Sequence, residues 1–264
     1  MANILDKIIQ HKIREVEQAK ASVSIRDLEQ APLFARQTIS LRQALSQPAS
    51  TGIIAEFKRR SPSKGLFQEN ADPSAITKAY TAGGAAALSV LTDSQFFGGS
   101  ADDLMQARVN PIPILRKDFI IDRYQLMEAK AMGADVILLI AACLEPGQVR
   151  SLAAFASGIG LEVLLEIHEE EELGHICEEI DLVGVNNRDL KTFTVDLDRS
   201  VLLSEKIGAG KLKIAESGIS NTGDIHFLRQ HGFQGFLIGE AFMKEADPAF
   251  AFANFVNQLK RGTA

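Results

Sequence analysis

Five short apolar runs in this chain end in side chains that can move protons or hold anions. They close as Ile54-Ala55-Glu56-Phe57-Lys58, Leu115-Arg116-Lys117-Asp118, Leu164-Leu165-Glu166, Val185-Asn186-Asn187-Arg188 and Ile214-Ala215-Glu216-Ser217-Gly218. Side chains two apart on a strand share a face. Glu56 and Lys58 therefore point together, as do Asn186 and Arg188, and Lys117 shares the face of Leu115. A lysine stays protonated at neutral pH and can donate, whereas an ionised glutamate can accept. Asparagine and arginine can orient an oxygen-rich ligand. If Glu56, Lys58, Lys117, Glu166, Asn186, Arg188 and Glu216 meet, they can run acid–base chemistry on an anion. Any one of them alone reads equally as a rim charge in a salt-bridge network.

Two glycines sit where a phosphate would want close backbone. Gly218 follows Ser217 after the seventh apolar run of the chain, and Gly239 follows Ile238 after the eighth. Barrel enzymes often hold phosphate on the loops after strands seven and eight, with backbone N–H groups and a helix N-terminus. Gly208-Ala209-Gly210-Lys211 lacks the spacing and the hydroxyl of a nucleotide-binding loop. The basic segment Arg59-Arg60-Ser61-Pro62-Ser63-Lys64-Gly65 reads either as a lid over a bound anion or as a solvated loop. Glu169–Glu172 reads as the opening of a helix, where the dipole favours carboxylates. His168, His175, His226 and His231 share no face or ligand spacing and are assigned no chemistry.

The elements that must position these groups alternate from Thr51 onward. Strand-length apolar runs cover Gly52–Phe57, Ala86–Leu91, Ile112–Leu115, Val136–Ile140, Leu161–Ile167, Leu182–Val185, Leu212–Ala215 and Gly235–Ile238. Several are apolar on both faces, as in a buried parallel sheet. Helix signals lie between them. Asp72-Pro73-Ser74 precedes Ala75–Ala82, which Gly83-Gly84 ends, and Asp122–Met132 stops at Gly133. Gln148–Ala156 and Ile225–Gln230 follow similar openings. Such alternation means a doubly wound open sheet or a closed barrel. Eight runs in 264 residues favour a (β/α)8 TIM barrel, for which about 250 residues is typical. The expected organisation is one domain over 1–264, with 1–50 a helical extension packed on the barrel. In that extension Ile4, Leu5, Ile8, Ile9, Ile13 and Val16 recur at helical spacing, and short helices are expected within Leu28–Leu45. A coiled-coil dimer arm is the alternative for this segment.

Bulk composition narrows the function classes. Hydrophobic residues make up 46% and charged residues 23%, the balance of a globular chain with a sizeable core. The net charge is −6 with no dominant Lys/Arg block, which argues against nucleic acid as a partner. An acidic protein can bind an anion only by gathering local cations in one cleft. The two cysteines, Cys143 and Cys177, lack metal-ligand spacing and read as reduced thiols, so neither a disulfide framework nor a metal site is expected. The longest apolar run, Val136–Leu144, is too short to span a bilayer, and a cytoplasmic location is expected.

At this point the motifs become specific. Ile54-Ala55-Glu56-Phe57-Lys58-Arg59-Arg60-Ser61-Pro62-Ser63 resembles the first-strand signature of the indole-3-glycerol phosphate synthase family. Leu115-Arg116-Lys117-Asp118-Phe119 is similar to that family's third-strand motif. Leu165-Glu166-Ile167-His168, Val185-Asn186-Asn187-Arg188-Asp189-Leu190 and Ala215-Glu216-Ser217-Gly218-Ile219 resemble strands five to seven, and Phe97-Gly98-Gly99-Ser100 falls at a loop that helps hold the aromatic ring. The resemblance spans essentially the whole chain. It implies closure of 1-(2-carboxyphenylamino)-1-deoxyribulose 5-phosphate to indole-3-glycerol phosphate, carbon dioxide and water, with no cofactor or metal and a monomeric protein. It further implies Lys117 as the acid on the ketone oxygen, Lys58 near Glu56 as the cation for the departing carboxylate, and Glu166 as the acid–base group. Asn186 and Arg188 would orient hydroxyls and charges, with Glu216, Ser217, Ser61 and Phe97 completing the substrate site and phosphate on Lys58, Gly218 and Gly239. Two departures stand out. Glu240 occupies a position where many members have serine and is expected to point away from the phosphate, and Gly98 replaces a common asparagine. Another phosphosugar barrel enzyme such as phosphoribosylanthranilate isomerase would want a Cys/Asp pair at the strand ends. A non-catalytic phosphate-binding barrel would need the glycines but not Lys117 with Glu166.

Overall fold

Eight strands form in order along the chain: β1 (Ile53–Phe57), β2 (Ala87–Leu91), β3 (Ile114–Lys117), β4 (Val136–Ile140), β5 (Glu162–Ile167), β6 (Leu182–Asn186), β7 (Leu212–Glu216) and β8 (Phe233–Ile238). The computed structural model describes residues 4–62, 65–188 and 194–262. Ser63, Lys64, Asp189 and Leu190 of the sequence motifs lie outside these described residues. A separate antiparallel pair joins Arg60–Ser61 to Gly65–Leu66. Each of the eight barrel strands pairs in parallel with its neighbours, and β1 closes the ring by pairing β8 on one side (Ile54 opposite Leu237) and β2 on the other (Ile54 opposite Ala87). That closure selects the (β/α)8 barrel over the open sheet.

The alternation of side chains divides the core in two. Ile54, Ala87, Leu115, Leu138, Leu164, Leu182, Ile214 and Leu237 fill the barrel interior. Their neighbours of opposite parity, such as Ala55, Leu88, Val90 and Val183, pack outward against the helices. Boundaries move by one or two residues from the sequence reading. β3 starts at Ile114, because Pro113 has no N–H for the ladder and contributes only its carbonyl, to Leu88 N. β8 starts at Phe233, and its register with β7 shifts between Phe233 and Gly235.

The helices begin and end where caps dictate. Asp72 accepts from Ala75 N ahead of helix Pro73–Gly83, and Gly84 closes it in the left-handed region at φ 101°. Asp122 and Gln125 form a capping box for Arg123–Met132. Glu169–Glu172 opens only a 3-10 turn, Glu170–His175.

The N-terminal segment covers both ends of the barrel. Helix α1 (Ile4–Ser22) lies at the mouth, α2 (Ile25–Glu29) links onward, and α3 (Leu41–Ser46) inserts Leu41 and Leu45 into the inner core at the floor. Glu162 at the start of β5 accepts from Leu41 N at 2.8 Å and Arg42 N at 3.1 Å, which caps α3. Tyr124 Oη donates to the carbonyls of Ala19 and Val23 and pins the end of α1. The buried face of α1 is Ile8, Lys12 and Val16, while Ile13 is 45% exposed. The helix thus packs on its own barrel, and a lysine lies in the middle of the packed stripe. Lys12 Nζ meets Asp118 at 2.9 Å, Glu15 at 2.9 Å and Asp93 at 3.2 Å. Among the described residues no helix is long and apolar enough to cross a membrane.

Candidate active site

The strand ends surround a cavity of about 530 Å³, a volume suited to a small ligand. Glu56, Lys58, Lys117, Glu166, Asn186, Arg188 and Glu216 all line it, so the parity argument brings together the groups it was meant to. Ser61, Phe97, Ser217, Gly218 and Gly239 line it too. The opposite wall is apolar: Ile4, Leu5 and Ile8 of α1 face Phe97, Phe119 and Ile140. The rings of Phe97 and Phe119 lie 6.0 Å apart and tilted, and Asp93 holds Phe97 in place by accepting from its backbone N–H.

The ionic side is a connected cluster. Lys117 Nζ lies 3.1 Å from Glu166 Oε2 and 3.8 Å from Glu216 Oε2. Lys58 Nζ lies 2.8 Å from Glu56 Oε1. Asn186 Nδ2 donates to Glu166 Oε1 at 3.1 Å, and Asn186 Oδ1 accepts from Arg188 N at 3.1 Å. Burial lowers the proton affinity of Lys117, but the charges of Glu166, Glu216 and Glu56 outweigh it and hold the ammonium above the ordinary lysine range. Burial likewise works against an ionised Glu166, yet Lys117 and the donors around it keep that carboxyl well below the usual range. Glu216 goes the other way: burial and the negative charge of Glu166 push it well above the usual range. Two neighbouring carboxyl groups with opposed proton affinities are what acid–base division needs.

Room for these side chains comes from missing ones. A Cβ on Gly184 would stand 2.1 Å from Glu216 Oε1, and one on Gly239 would stand 2.5 Å from Glu56 Oε1. Glycine at 184 and 239 is therefore needed for close approach. Among the described residues Ser217 is the one non-glycine residue with positive φ, at 67°, and Asn187 Nδ2 donates to its carbonyl at 2.7 Å. Such a backbone cost is typical of functional sites.

One expectation requires correction. Glu240 does not turn away from the cavity: it lines the wall, and its Oε2 lies 3.3 Å from the Arg188 guanidinium, which offsets its charge. In the basic segment after β1, both arginines are engaged by neighbouring elements. Arg59 pairs with Asp103 and donates to the Ala71 carbonyl at 3.2 Å, and Arg60 donates to the carbonyls of Ser94 and Gln95. They brace this loop against its neighbour, leaving Ser61 and Pro62 to face the cavity.

A family model described as indole-3-glycerol phosphate synthase matches residues 5–255. The chain belongs to the indole-3-glycerol phosphate synthase family. A relative of that name from Bacteroides thetaiotaomicron is 47% identical over 98% of this chain and 100% of its own length. Relatives of the same name from a Polaromonas species and from Bordetella pertussis are 45% and 44% identical over 96% and 97% of this chain, covering 98% and 100% of their own lengths. Among solved structures, a chain of the tryptophan synthase α2β2 complex of Pyrococcus furiosus superposes with a TM-score of 0.58 at 16% identity, covering 79% of this chain and 97% of that one. At that identity the likeness concerns the barrel fold alone.

Within this member of the indole-3-glycerol phosphate synthase family, sequence reasoning missed several site groups. His168 Nε2 lies 3.1 Å from Glu166 Oε1, although the sequence reading gives the histidines no shared face and no chemistry. The parity rule that paired Glu56 with Lys58 would have found it. Phe119, two residues after Lys117 and of the same parity, also lines the cavity, as does Lys244, which no periodic signal marks. Cys143 is absent from the cavity lining, and burial raises its thiol to about 12, so it offers no Cys/Asp acid–base pair. Among the described residues no group of three His, Cys, Asp or Glu side chains is arranged to hold a metal ion.

Proposed function

We propose that this chain acts as an indole-3-glycerol phosphate synthase on 1-(2-carboxyphenylamino)-1-deoxyribulose 5-phosphate, a carbon–carbon lyase reaction. The aromatic carbon bearing the carboxylate attacks the ketone carbon, the carboxylate leaves as carbon dioxide, and the new hydroxyl leaves as water. The observation that carries this reading is an ammonium and a carboxylate 3.1 Å apart, Lys117 and Glu166, in a cavity ionic on one side and aromatic on the other. The apolar wall of Phe97, Phe119 and Ile8 suits the anthranilate ring, and the ionic side suits the sugar.

In this mechanism Lys117 protonates the ketone oxygen as the new bond forms. A ketone entering between Lys117 and the carboxylates loosens the pairs that hold its proton, which makes it a better acid with substrate than without. Lys58, beside Glu56, attracts the departing carboxylate. Glu166 removes the proton from the ring system and assists loss of water, while Asn186 and Arg188 orient the sugar hydroxyls and the carboxylates. Glu216 and Ser217 complete the sugar side. Phosphate rests on Lys58 and on backbone N–H groups at Gly218 and Gly239, where helix Glu240–Met243 begins. The protein is proposed to do this as a monomer in the cytoplasm, without a cofactor.

The test is direct: purified protein with the carboxyphenylamino-deoxyribulose phosphate and no added metal, followed by indole fluorescence. Turnover is expected, and Lys117→Ala should lose it by about 10²–10⁴-fold while still unfolding in one cooperative thermal transition. Absence of indole product from the wild-type chain overturns the function, and near-normal turnover by Lys117→Ala overturns the acid assignment.

A further inference from the structure

His168 follows β5 directly, and the strand's alternation puts it on the face of Glu166. Its side chain is 4% exposed and is absent from the cavity lining, so it is shielded from any ligand there. It reaches two carboxylates. Nε2 lies 3.1 Å from Glu166 Oε1, and Nδ1 lies 3.5 Å from Glu172 Oε2. These are ion-pair contacts rather than well-aligned hydrogen bonds. Glu172 is itself held from below, because its Oε2 accepts from His168 N at 2.5 Å and Glu169 N at 3.3 Å. Arg199 donates to the His168 carbonyl at 2.7 Å and fixes the backbone on the other side.

The division of contacts on Glu166 is the informative part. Its Oε1 meets His168 and Asn186, both outside the reacting pair, while its Oε2 meets Lys117. One oxygen is thereby anchored and the other is turned to the ammonium. We propose that His168 is a positioning residue that acts through Glu166, clamping Oε1 so that Oε2 alone faces Lys117 and the substrate. This rests on the reading of Glu166 as the acid–base group. Other ionisable groups near the clamp, among the described residues, are Cys143 from the turn after β4, Lys117 from β3 and Glu216 from β7. The Cys143 thiol is neutral at ordinary pH, and Lys117 meets Glu166 through Oε2 rather than Oε1. Burial opposes a charged imidazole, but Glu166 and Glu172 together raise His168 to about 9, so both ring nitrogens carry protons at neutral pH.

The experiment measures kcat and KM for indole formation in the full chain. His168→Phe keeps the volume and removes both donors. It should lower kcat by about 10- to 100-fold, less than loss of the acid–base group itself, with KM within about threefold. His168→Gln, which restores one N–H toward Glu166, should recover part of that loss. Placed on a Glu166→Gln background, His168→Phe should cost less than about twofold more, since the clamp then has nothing to position. An unchanged kcat in His168→Phe, or a full further loss on the Glu166→Gln background, overturns the proposal. If His168→Phe lacks a cooperative melt, Glu172→Gln gives the same reading: a lower kcat at constant KM supports the clamp and an unchanged kcat rejects it. Wild-type turnover by Glu166→Gln removes the acid–base assignment, whereas loss in Glu166→Gln with none in His168→Phe removes only the clamp.

Discussion

Spacing alone carries surprisingly far for single residues in a barrel. Glu56 with Lys58 and Asn186 with Arg188 were legible because i and i+2 share a face, and all four line the cavity. Their partners across the barrel were not, since Lys117 to Glu166 joins β3 to β5 and depends on the closed ring. His168 has its own pH consequence. Its ordinary value of 6.5 rises to about 9 in the folded protein, so its pairs stabilise fully below about 6.5 and are lost as pH climbs through 9. Thermal melts from pH 6.5 to 9.5 should show a decline in wild type that is reduced in His168→Gln; equal declines would sink this assignment. Gly184 offers a complementary test. A methyl there collides with the far end of the Glu216 side chain, which can swing into the cavity it already lines. Gly184→Ala should therefore cost little stability, within about 1 kcal/mol, yet reduce turnover about tenfold or more by moving Glu216 from Lys117. A large drop in melting temperature with normal turnover would contradict that ordering.

Elements were read well where period and caps agree, and less well where a charge sits among apolar residues. Helical spacing puts Lys12 on the buried face of α1, four residues from both Ile8 and Val16, but nothing local says what pairs its charge there. Its partners Asp93 and Asp118 come from the ends of β2 and β3, far along the chain. Burial works against the ammonium, yet Asp118, Asp93 and Glu15 hold it above the ordinary lysine range. Asp118 also accepts from Thr92 Oγ1 at 2.5 Å and from Arg116 at 3.1 Å, directly after Lys117. Removing one partner of a buried ionic cluster typically costs about 3–5 kcal/mol, because the others stay uncompensated. Lys12→Met should lose about that much in denaturant unfolding, and its kcat should fall because the backbone carrying Lys117 is released. Unfolding within 1 kcal/mol of wild type, on the order of a surface change, would show that water reaches the cluster and replaces the lysine.

The whole molecule depends on how the barrel's two ends are closed. Eight apolar runs in sequence order suggested a ring, but only the pairing of β1 with β8 makes one, and that contact joins distant segments. Once closed, the ring has a mouth and a floor, and one N-terminal segment covers both. At the floor, Leu41 and Leu45 complete the inner core, and Glu162 and Asp135 bind the segment through Leu41 N, Ile39 N and Arg36. At the mouth, α1 contributes Ile4, Leu5 and Ile8 to the apolar wall and Lys12 to the clasp. The two roles are separable. Deletion of the whole segment before Thr51 uncovers the floor of the inner core and leaves the buried Asp135 and the half-buried Glu162 without these partners, so a cooperative melt should be lost. Deletion of α1 alone keeps the floor, and should leave a cooperative but lower melting transition with strongly impaired turnover. Calorimetry and the indole assay on both truncations distinguish the cases: a barrel that melts cooperatively without α3 would mean its leucines merely cover a core already complete.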